Sequence, residues 1–434
     1  MAETKQGKQL LTVARVFFLL IVIPLLLMSF LIANGIFQLG DVSKKGAISV
    51  LDEKSQQEML IRATTVAENV ANFLQESERN VLIATILPQT PEAYKEFVEN
   101  NKQALWMKQD GQIVKILEPL YTEMALIDEA GNEVIKIAGG EISPKSELVN
   151  VSDPANTTFK TEEYFQKTKA LNKGDVYISP VTGLYVNRSE FESGKRFEGI
   201  VRFATPLFDK QGFTGMITLA LDVRHLAAMT DTIIPTQTGH VLEADASTGN
   251  YAYMVDNRGY VISHPNDYHI AGLREDGTPV PPFTGDTAAE LSKKGEEVLN
   301  LNLLGDIDAA LPQVAQDAAA GNSGVKVYKF AGHTKVVAYA PVPYYSVQYP
   351  TPAGFGWVAL GVDVDKYNEQ ARIASDKIEK EANAWMATIV LILVIAMILL
   401  FIIASLLARG VNRSIEAEVP PESLEAGKYY DDED

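Results

Sequence analysis

Tyr121–Ile135 reads YTEMALIDEAGNEVI, and Tyr251–Ile262 reads YAYMVDNRGYVI. Each is an apolar strand, then Asp-x-x-Gly, then a second apolar strand, with Asp128 and Gly131 in the first copy and Asp256 and Gly259 in the second. An Asp side chain caps a turn and a Gly takes a positive φ there, so both stretches predict a β-hairpin. A second motif repeats in the same order. Gly212–Val223 reads GFTGMITLALDV and Gly354–Val364 reads GFGWVALGVDV. Each follows an apolar strand containing Pro (ATPLFD at Ala204–Asp209, APVPYY at Ala340–Tyr345), and each ends on an Asp, Asp222 or Asp363. The copies lie roughly 130–140 residues apart. Two motifs recurring in one order predict a duplicated α+β module, each copy an antiparallel sheet with helices over one face.

Outward from the repeat, the pattern becomes helical on both sides. Residues 43–87 hold no Pro and one Gly, Gly46. Met59, Ala63, Val66, Val70 and Phe73 follow a 4-3-4-3 spacing, the seam of a helix that packs on another helix. Leu87-Pro88 ends this stalk, because the residue before a proline is pushed out of the helical region. On the return side, Tyr367, Ala371, Ala374, Ile378, Ala382 and Trp385 repeat the periodicity. Part of the first seam packs on its own domain; for the part nearest the membrane the expectation is contact with a second copy of the chain. Beyond the stalks lie two uncharged runs. Val16–Ile36 has 21 residues (VFFLLIVIPLLLMSFLIANGI) and Trp385–Leu407 has 23 (WMATIVLILVIAMILLFIIASLL), each long enough for a hydrocarbon core of about 30 Å. The first exceeds a usual signal-peptide core and lacks a small-x-small cleavage site. Lys5, Lys8 and Arg15 before the first run, with Arg409 and Arg413 after the second, place both termini inside, against a weak counter-signal from Lys44 and Lys45. The expected layout is a cytoplasmic N-terminus over 1–15, membrane helices over 16–38 and 385–408, stalk helices over 39–88 and 365–384, modules over 89–235 and 236–364, and a cytoplasmic tail over 409–434.

In this order of elements the chain resembles the double Cache (dCache) sensory domains of bacterial chemoreceptors and sensor kinases. EYFQKTKALNKGDVYISPVTG (Glu163–Gly183) looks like the helix and loop lining the distal pocket of that family. YAYMVDNRGYVISHP (Tyr251–Pro265) and GFGWVALGVDVD (Gly354–Asp365) look like its proximal module. The resemblance covers about residues 10–410. It implies an α+β fold of two tandem PAS-like Cache modules of antiparallel sheet on a long N-terminal stalk helix, flanked by two transmembrane helices. It also implies a two-pass protein of the bacterial inner membrane with its main domain outside, a homodimer, and a small ligand in the distal module. Amino-acid-binding members keep Arg-x-Trp-Tyr on the pocket helix, then a Tyr and Asp, then a final strand Asp. Here the run is Glu162-Glu163-Tyr164-Phe165, without the Arg and Trp. Tyr177 matches the later Tyr, Ser179 replaces its Asp companion, and Asp222 matches the final Asp. Without the Arg that grips an α-carboxylate, free α-amino acids fit poorly.

The ligand-binding candidates are therefore Tyr164, Phe165, Tyr177, Ser179, Arg202 and Asp222. Arg202 lies in the apolar strand GIVRFATP, so it faces a pocket or is paired, with Asp222 as one candidate partner. An aromatic wall with one cation and one anion suits a small carboxylate or amine. The aromatics serve equally well as sheet core. His264 and His269, five apart in SHPNDYHI, read as a surface loop rather than a metal pair, and His225, His240 and His333 are scattered. Asp128–Asn132 reads as turn chemistry rather than a calcium loop. No catalytic motif is present, and no cofactor is expected.

The 434 residues carry 38 Lys+Arg against 56 Asp+Glu, a net charge of −18, and no Cys. These figures exclude disulfide scaffolds and thiolate metal sites, and they argue against a nucleic-acid partner. Residues 411–434 hold eight acids against Arg413 and Lys428, which reads as a disordered acidic tail. The 25 residues after Arg409 are too few for an output domain. The expectation is a sensor that signals to a separate cytoplasmic protein. The alternative is an adhesin-like or assembly protein that keeps the scaffold without sensing.

Overall fold

The computed structural model describes residues 2–109, 112–239 and 241–418. His240 and residues 419–434 of the acidic tail lie outside them. Contacts divide the chain into two units, residues 1–53 with 369–434, and residues 54–368.

The first unit is helical. Helix α1 runs Ala2–Ala84. It and the helix near the other end of the chain are both long and apolar enough to cross a membrane. Within this unit Gly40 lets the backbone approach Ala382, Lys44 pairs with Glu379 at 3.1 Å, and Phe18 meets Phe401 edge to face.

The second unit holds two antiparallel sheets. After α1 come α2 (Pro91–Asn100) and a two-stranded hairpin, β1 (Lys102–Gln109) with β2 (Gln112–Pro119). Next are β3 (Tyr121–Asp128), β4 (Glu133–Ala138), β5 (Glu141–Ile142), α3 (Tyr164–Lys169), β6 (Tyr177–Ile178), β7 (Thr182–Leu184), α4 (Arg188–Glu192), β8 (Glu198–Phe208), β9 (Phe213–Asp222) and α5 (Val223–Ala227). Their sheet has the order β5-β4-β3-β9-β8-β6, with β7 also on β8. The later part contains β10 (Tyr251–Asp256), β11 (Val261–Ser263), α6 (Ala288–Lys294), α7 (Ala310–Ala319), β12 (Gly324–Phe330), β13 (His333–Val342), β14 (Gly356–Asp363) and α8 (Val364–Tyr367), in the order β11-β10-β14-β13-β12. Helix α9 (Glu369–Glu418) follows. It carries helix through the first eight residues of the stretch read as a disordered tail.

The duplication is visible atom by atom. In each hairpin the Asp takes two backbone N–H groups across the turn, Asp128 from Ala130 and Asn132, Asp256 from Arg258 and Tyr260. The turn glycines have φ of 93° and 91°. Each Asp stands opposite a glycine of the neighbouring strand, Asp128 opposite Gly215 and Asp256 opposite Gly356. Both of these glycines have positive φ, 146° and 153°. A Cβ there would run into the carbonyl oxygen of Ile127 or Val255. The strands that follow end on Asp222 and Asp363, each capping a short helix through the N–H two residues on, at 2.9 and 3.0 Å.

Helix α1 supplies the common wall. Met59, Ala63, Val66, Val70 and Phe73 are all buried and share one hydrophobic cluster with both sheets. These residues are the part of the seam that packs on its own domain: the heptad spacing here serves the sheets of the same chain. Polar keys fix the helix along its length. Asn80 donates to the Tyr121 hydroxyl at 2.7 Å, Tyr344 donates to Glu78 at 2.7 Å, and Arg62 donates to the carbonyls of Ile234, Pro235 and Gln237 in the segment joining the sheets.

Two outcomes are expected. Gly215→Ala and Gly356→Ala each lower stability by about 2–4 kcal/mol, because φ and space both forbid a side chain. Gly46→Ala in exposed helix leaves it unchanged or slightly higher; thermal unfolding followed by circular dichroism distinguishes them. Asp231 accepts from Ser263 and Thr230, and burial pushes its carboxyl from 3.8 up to about 8. A raised carboxyl holds its proton in the folded state, so the stability it lends is full below about pH 4 and disappears as pH rises towards 8. Asp231→Asn should flatten that part of the melting-temperature profile between pH 5 and 8.

Candidate functional site

The sheet of β3–β9 has two faces. Val201, Phe203, Leu219 and Leu221 belong to the cluster shared with α1, while Ala125, Ile127, Ala204 and Met216 form a separate cluster with Tyr164, Phe165 and Tyr177. Alternation along β8 puts Arg202 on the same face as Ala204. Helix α3 covers this face with Tyr164, Phe165 and Thr168.

Arg202 is 2% exposed. Its guanidinium is taken up from both sides: Nε and Nη2 donate to the two oxygens of Glu162 at 2.5 and 3.2 Å, and Nη2 donates to Glu123 at 2.9 Å. The guanidinium carbon lies over the Tyr164 ring, 4.6 Å from its centroid. Burial alone would lower the pKa of the guanidinium, but Glu162 and Glu123 hold it well above its ordinary value. Burial would raise Glu123, yet Arg202 and Lys136 hold it below the usual carboxylate range. Thr158 adds a hydroxyl donor to Glu123 at 2.6 Å.

Five of the six predicted residues gather here. Tyr164, Phe165 and Tyr177 are buried together, and burial pushes the Tyr177 phenol up to about 12. Ser179 exchanges backbone and hydroxyl bonds with Arg202: its N–H donates to the Arg202 carbonyl at 2.9 Å, and its hydroxyl accepts the Arg202 N–H at 2.8 Å. The Ser179 carbonyl in turn accepts the Tyr349 hydroxyl, from the loop between β13 and β14, at 2.9 Å. Asp222 does not join them. It stands opposite Ile200, two register positions from Arg202, and its carboxylate turns onto α5 to cap Arg224 N–H and pair with the Arg224 side chain at 2.6 Å. The candidate Arg202–Asp222 pair is therefore replaced by Arg202 with Glu162 and Glu123. Glu123 escaped the sequence reading. The signal was its position as the one acid inside an apolar strand, in step with Ala125 and Ile127.

Beside this cluster a groove of about 370 Å³ opens, lined in part by Val151, Pro154, Glu162, Glu163, Phe165 and Lys167. That volume lies in the usual range for small-molecule sites. Glu163 and Lys167 on this lining offset each other at 3.7 Å, and Arg202 faces two acids, Glu162 and Glu123, so one negative charge is left over beside the groove.

His264 and His269 are not on a surface loop. They are 3% and 7% exposed, with ring centroids 4.8 Å apart, because the 264–269 loop folds in against β10.

Arg202→Met strands two buried carboxylates and should cost about 3–5 kcal/mol. Converting Glu123 and Glu162 to Gln in the same chain should restore most of it, as read by thermal unfolding.

A family model described as Cache domain matches residues 45–370. Among solved structures the chain is similar to a domain of a sensory box/GGDEF family protein from Vibrio parahaemolyticus (12% identity over 73% of this chain and 99% of that one, TM-score 0.45). It is similar also to the ligand-binding domain of the Pseudomonas aeruginosa amino acid chemoreceptor PctC in complex with GABA (13%, 69% and 96%, TM-score 0.37). A third is the sensory domain of the Campylobacter jejuni chemoreceptor Tlp3 with isoleucine bound (13%, 74% and 98%, TM-score 0.38). No curated protein matches the chain.

Proposed function

The chain belongs to the Cache domain family, and on that premise we propose that it is a membrane-anchored sensor of a small polar solute outside the cytoplasmic membrane. The two apolar helices and the Lys/Arg residues at their outer flanks support a two-pass topology with both termini inside. The solute enters the groove beside α3, with Phe165 as an aromatic wall and Tyr164, Tyr177 and Ser179 as the floor that holds Arg202 in place. Asp222 caps α5 and contributes only through that helix. The signal passes along α1 and α9, in a homodimer, to a separate cytoplasmic signalling protein.

One observation carries the choice of ligand class. Arg202 gives Nε and Nη2 to Glu162 and Glu123 and keeps only Nη1, which lies 3.5 Å from the Thr218 hydroxyl, so its charge is already met by two carboxylates and the surplus beside the groove is negative. Opposite charge is the favourable partner there, and an amine is preferred to a carboxylate.

The test uses the full chain in lipid nanodiscs. Small primary amines and diamines are compared with carboxylates of the same size by thermal shift. A saturable rise in melting temperature with an amine, lost in Phe165→Ala and weakened at least tenfold in Glu163→Gln, is the expected result. A shift by carboxylates alone sinks the amine assignment, and no shift across a broad solute set sinks the sensor reading.

A further inference from the structure

The β1–β2 hairpin belongs to neither large sheet and forms a sheet of two strands by itself. Its base is held. Leu120 N–H donates to the Asn101 carbonyl at 2.8 Å, His225 Nε2–H donates to the Pro119 carbonyl at 3.0 Å, and Arg224 lies 3.8 Å from Glu118. Beyond the base the strands pair only with each other, from Gln103 opposite Glu118 to Gln109 opposite Gln112, without a bulge. Among the described residues neither outer edge has a backbone partner over this length. An open edge of this kind is a template for another strand, and two strands alone are marginal in water.

Residues directly opposite each other share a face. Leu105 with Ile116 and Met107 with Val114 therefore make one face, and Trp106 with Lys115 and Ala104 with Leu117 make the other. The first face is covered: Leu105 is buried, and Val114 and Ile116 are half-buried. The second is open, with Trp106, Ile113 and Leu117 at 52%, 60% and 66% exposed. Its charges are Lys102 and Lys115, and the Lys115 ammonium lies 5.7 Å from the centroid of the Trp106 ring. Among the described residues neither lysine has a carboxylate within ion-pair distance, and no acid lies on this face. The chain that carries this apolar and basic face has a net charge of −18.

Along β2 the open face runs Ile113, Lys115, Leu117, and this row selects its partner. A second copy could pair its own β2 here antiparallel, with Ile113 against Leu117. That register sets Lys115 against Lys115, and like charges directly opposite are unfavourable. A foreign strand with an acid at that point gains an opposite-charge pair between two apolar contacts. We propose that the β1–β2 hairpin docks a separate protein by strand addition. An extended segment of the partner lies along β2, with apolar residues opposite Ile113 and Leu117 and an acid opposite Lys115. Trp106, beside Lys115 on the inner strand, is the aromatic anchor for the rest of the partner. The surface uses no residue of the groove beside α3 and stands apart from the solute reading.

The experiment uses the full chain in phosphatidylcholine nanodiscs. The probe is a fluorescently labelled, end-capped peptide Thr-Val-Thr-Glu-Thr-Val-Thr, and its control has Lys in place of Glu. Binding is read by anisotropy. Expected is saturable binding of the Glu peptide, at least tenfold tighter than the Lys peptide, with the preference reversed in Lys115→Glu and unchanged in Glu163→Gln. Methylating alternate peptide nitrogens should abolish binding in one phase and spare it in the other, since only one edge of an added strand meets β2. No saturable binding overturns the proposal. So do equal binding of the two peptides, an unchanged preference in Lys115→Glu, and equal tolerance of both methylation phases. Co-sedimentation of the nanodiscs with phosphatidylglycerol vesicles, lost in Trp106→Ala, would hand the face to a lipid surface instead. The chain has no Cys, so Leu117→Cys reports on a second copy. No disulfide dimer is expected under mild oxidation, and a rapid one would hand the edge to another copy of the chain.

Discussion

Both sheets depend on one stripe of α1. Ala63, Val70, Leu74, Val81 and Ala84 are essentially without exposure, and they sit in a cluster that also contains Val201, Phe203 and Leu219 from one sheet and Met254, Val358 and Leu360 from the other. An antiparallel sheet with an apolar face must cover it. Here one helix covers two such faces in succession. Ala63, Ala67 and Ala71 are buried on this stripe together with the larger Phe73 and Leu74. Helical order along this stretch therefore rests on the sheets, and the sheets rest on it.

Built on that common wall, the two halves share a frame down to single atoms. An Asp-capped hairpin, a glycine forced by the opposing carbonyl, and a terminal Asp over a short helix occur in each. They differ in what the frame carries. One half buries an arginine and surrounds it with two acids from different segments, so its charge is cancelled internally. The other buries Lys335 against the Tyr251 and Phe330 rings and spends the nearby Asp363 on His333 and a helix cap. The same scaffold thus cancels one buried cation with acids and leaves the other to aromatic rings.

Much of this was legible in the chain. The hairpin pair, the repeated strand pair and the two apolar runs are patterns of local spacing, and spacing is what strands and helices impose. The partners of Arg202 were not legible in that way. Glu162 lies 40 residues before it and Glu123 lies 79 before it. Glu123 stands out locally as an acid within an apolar strand, but nothing local says that it and Glu162 meet Arg202 rather than Asp222, which stands on the neighbouring strand and bends away to serve the next helix. The fate of SHPNDYHI was hidden for a related reason: its Pro, Asn and Asp are loop residues, and whether a loop lies on the surface depends on what the rest of the chain packs against it. The stripe on α1 shows a third limit. A 4-3-4-3 rhythm says that one face is buried but not by what, and a sheet of the same chain answers it as well as a second helix does.

The grip of Arg62 on the segment between the sheets has a consequence of another kind. It bonds only carbonyl oxygens, those of Ile234, Pro235 and Gln237, and every residue type offers one of those. The three side chains at these positions are not what the arginine reads. The arginine therefore constrains the path of that stretch and not its letters; what constrains Ile234 and Pro235 is packing, since the first lies against the core and the second is buried.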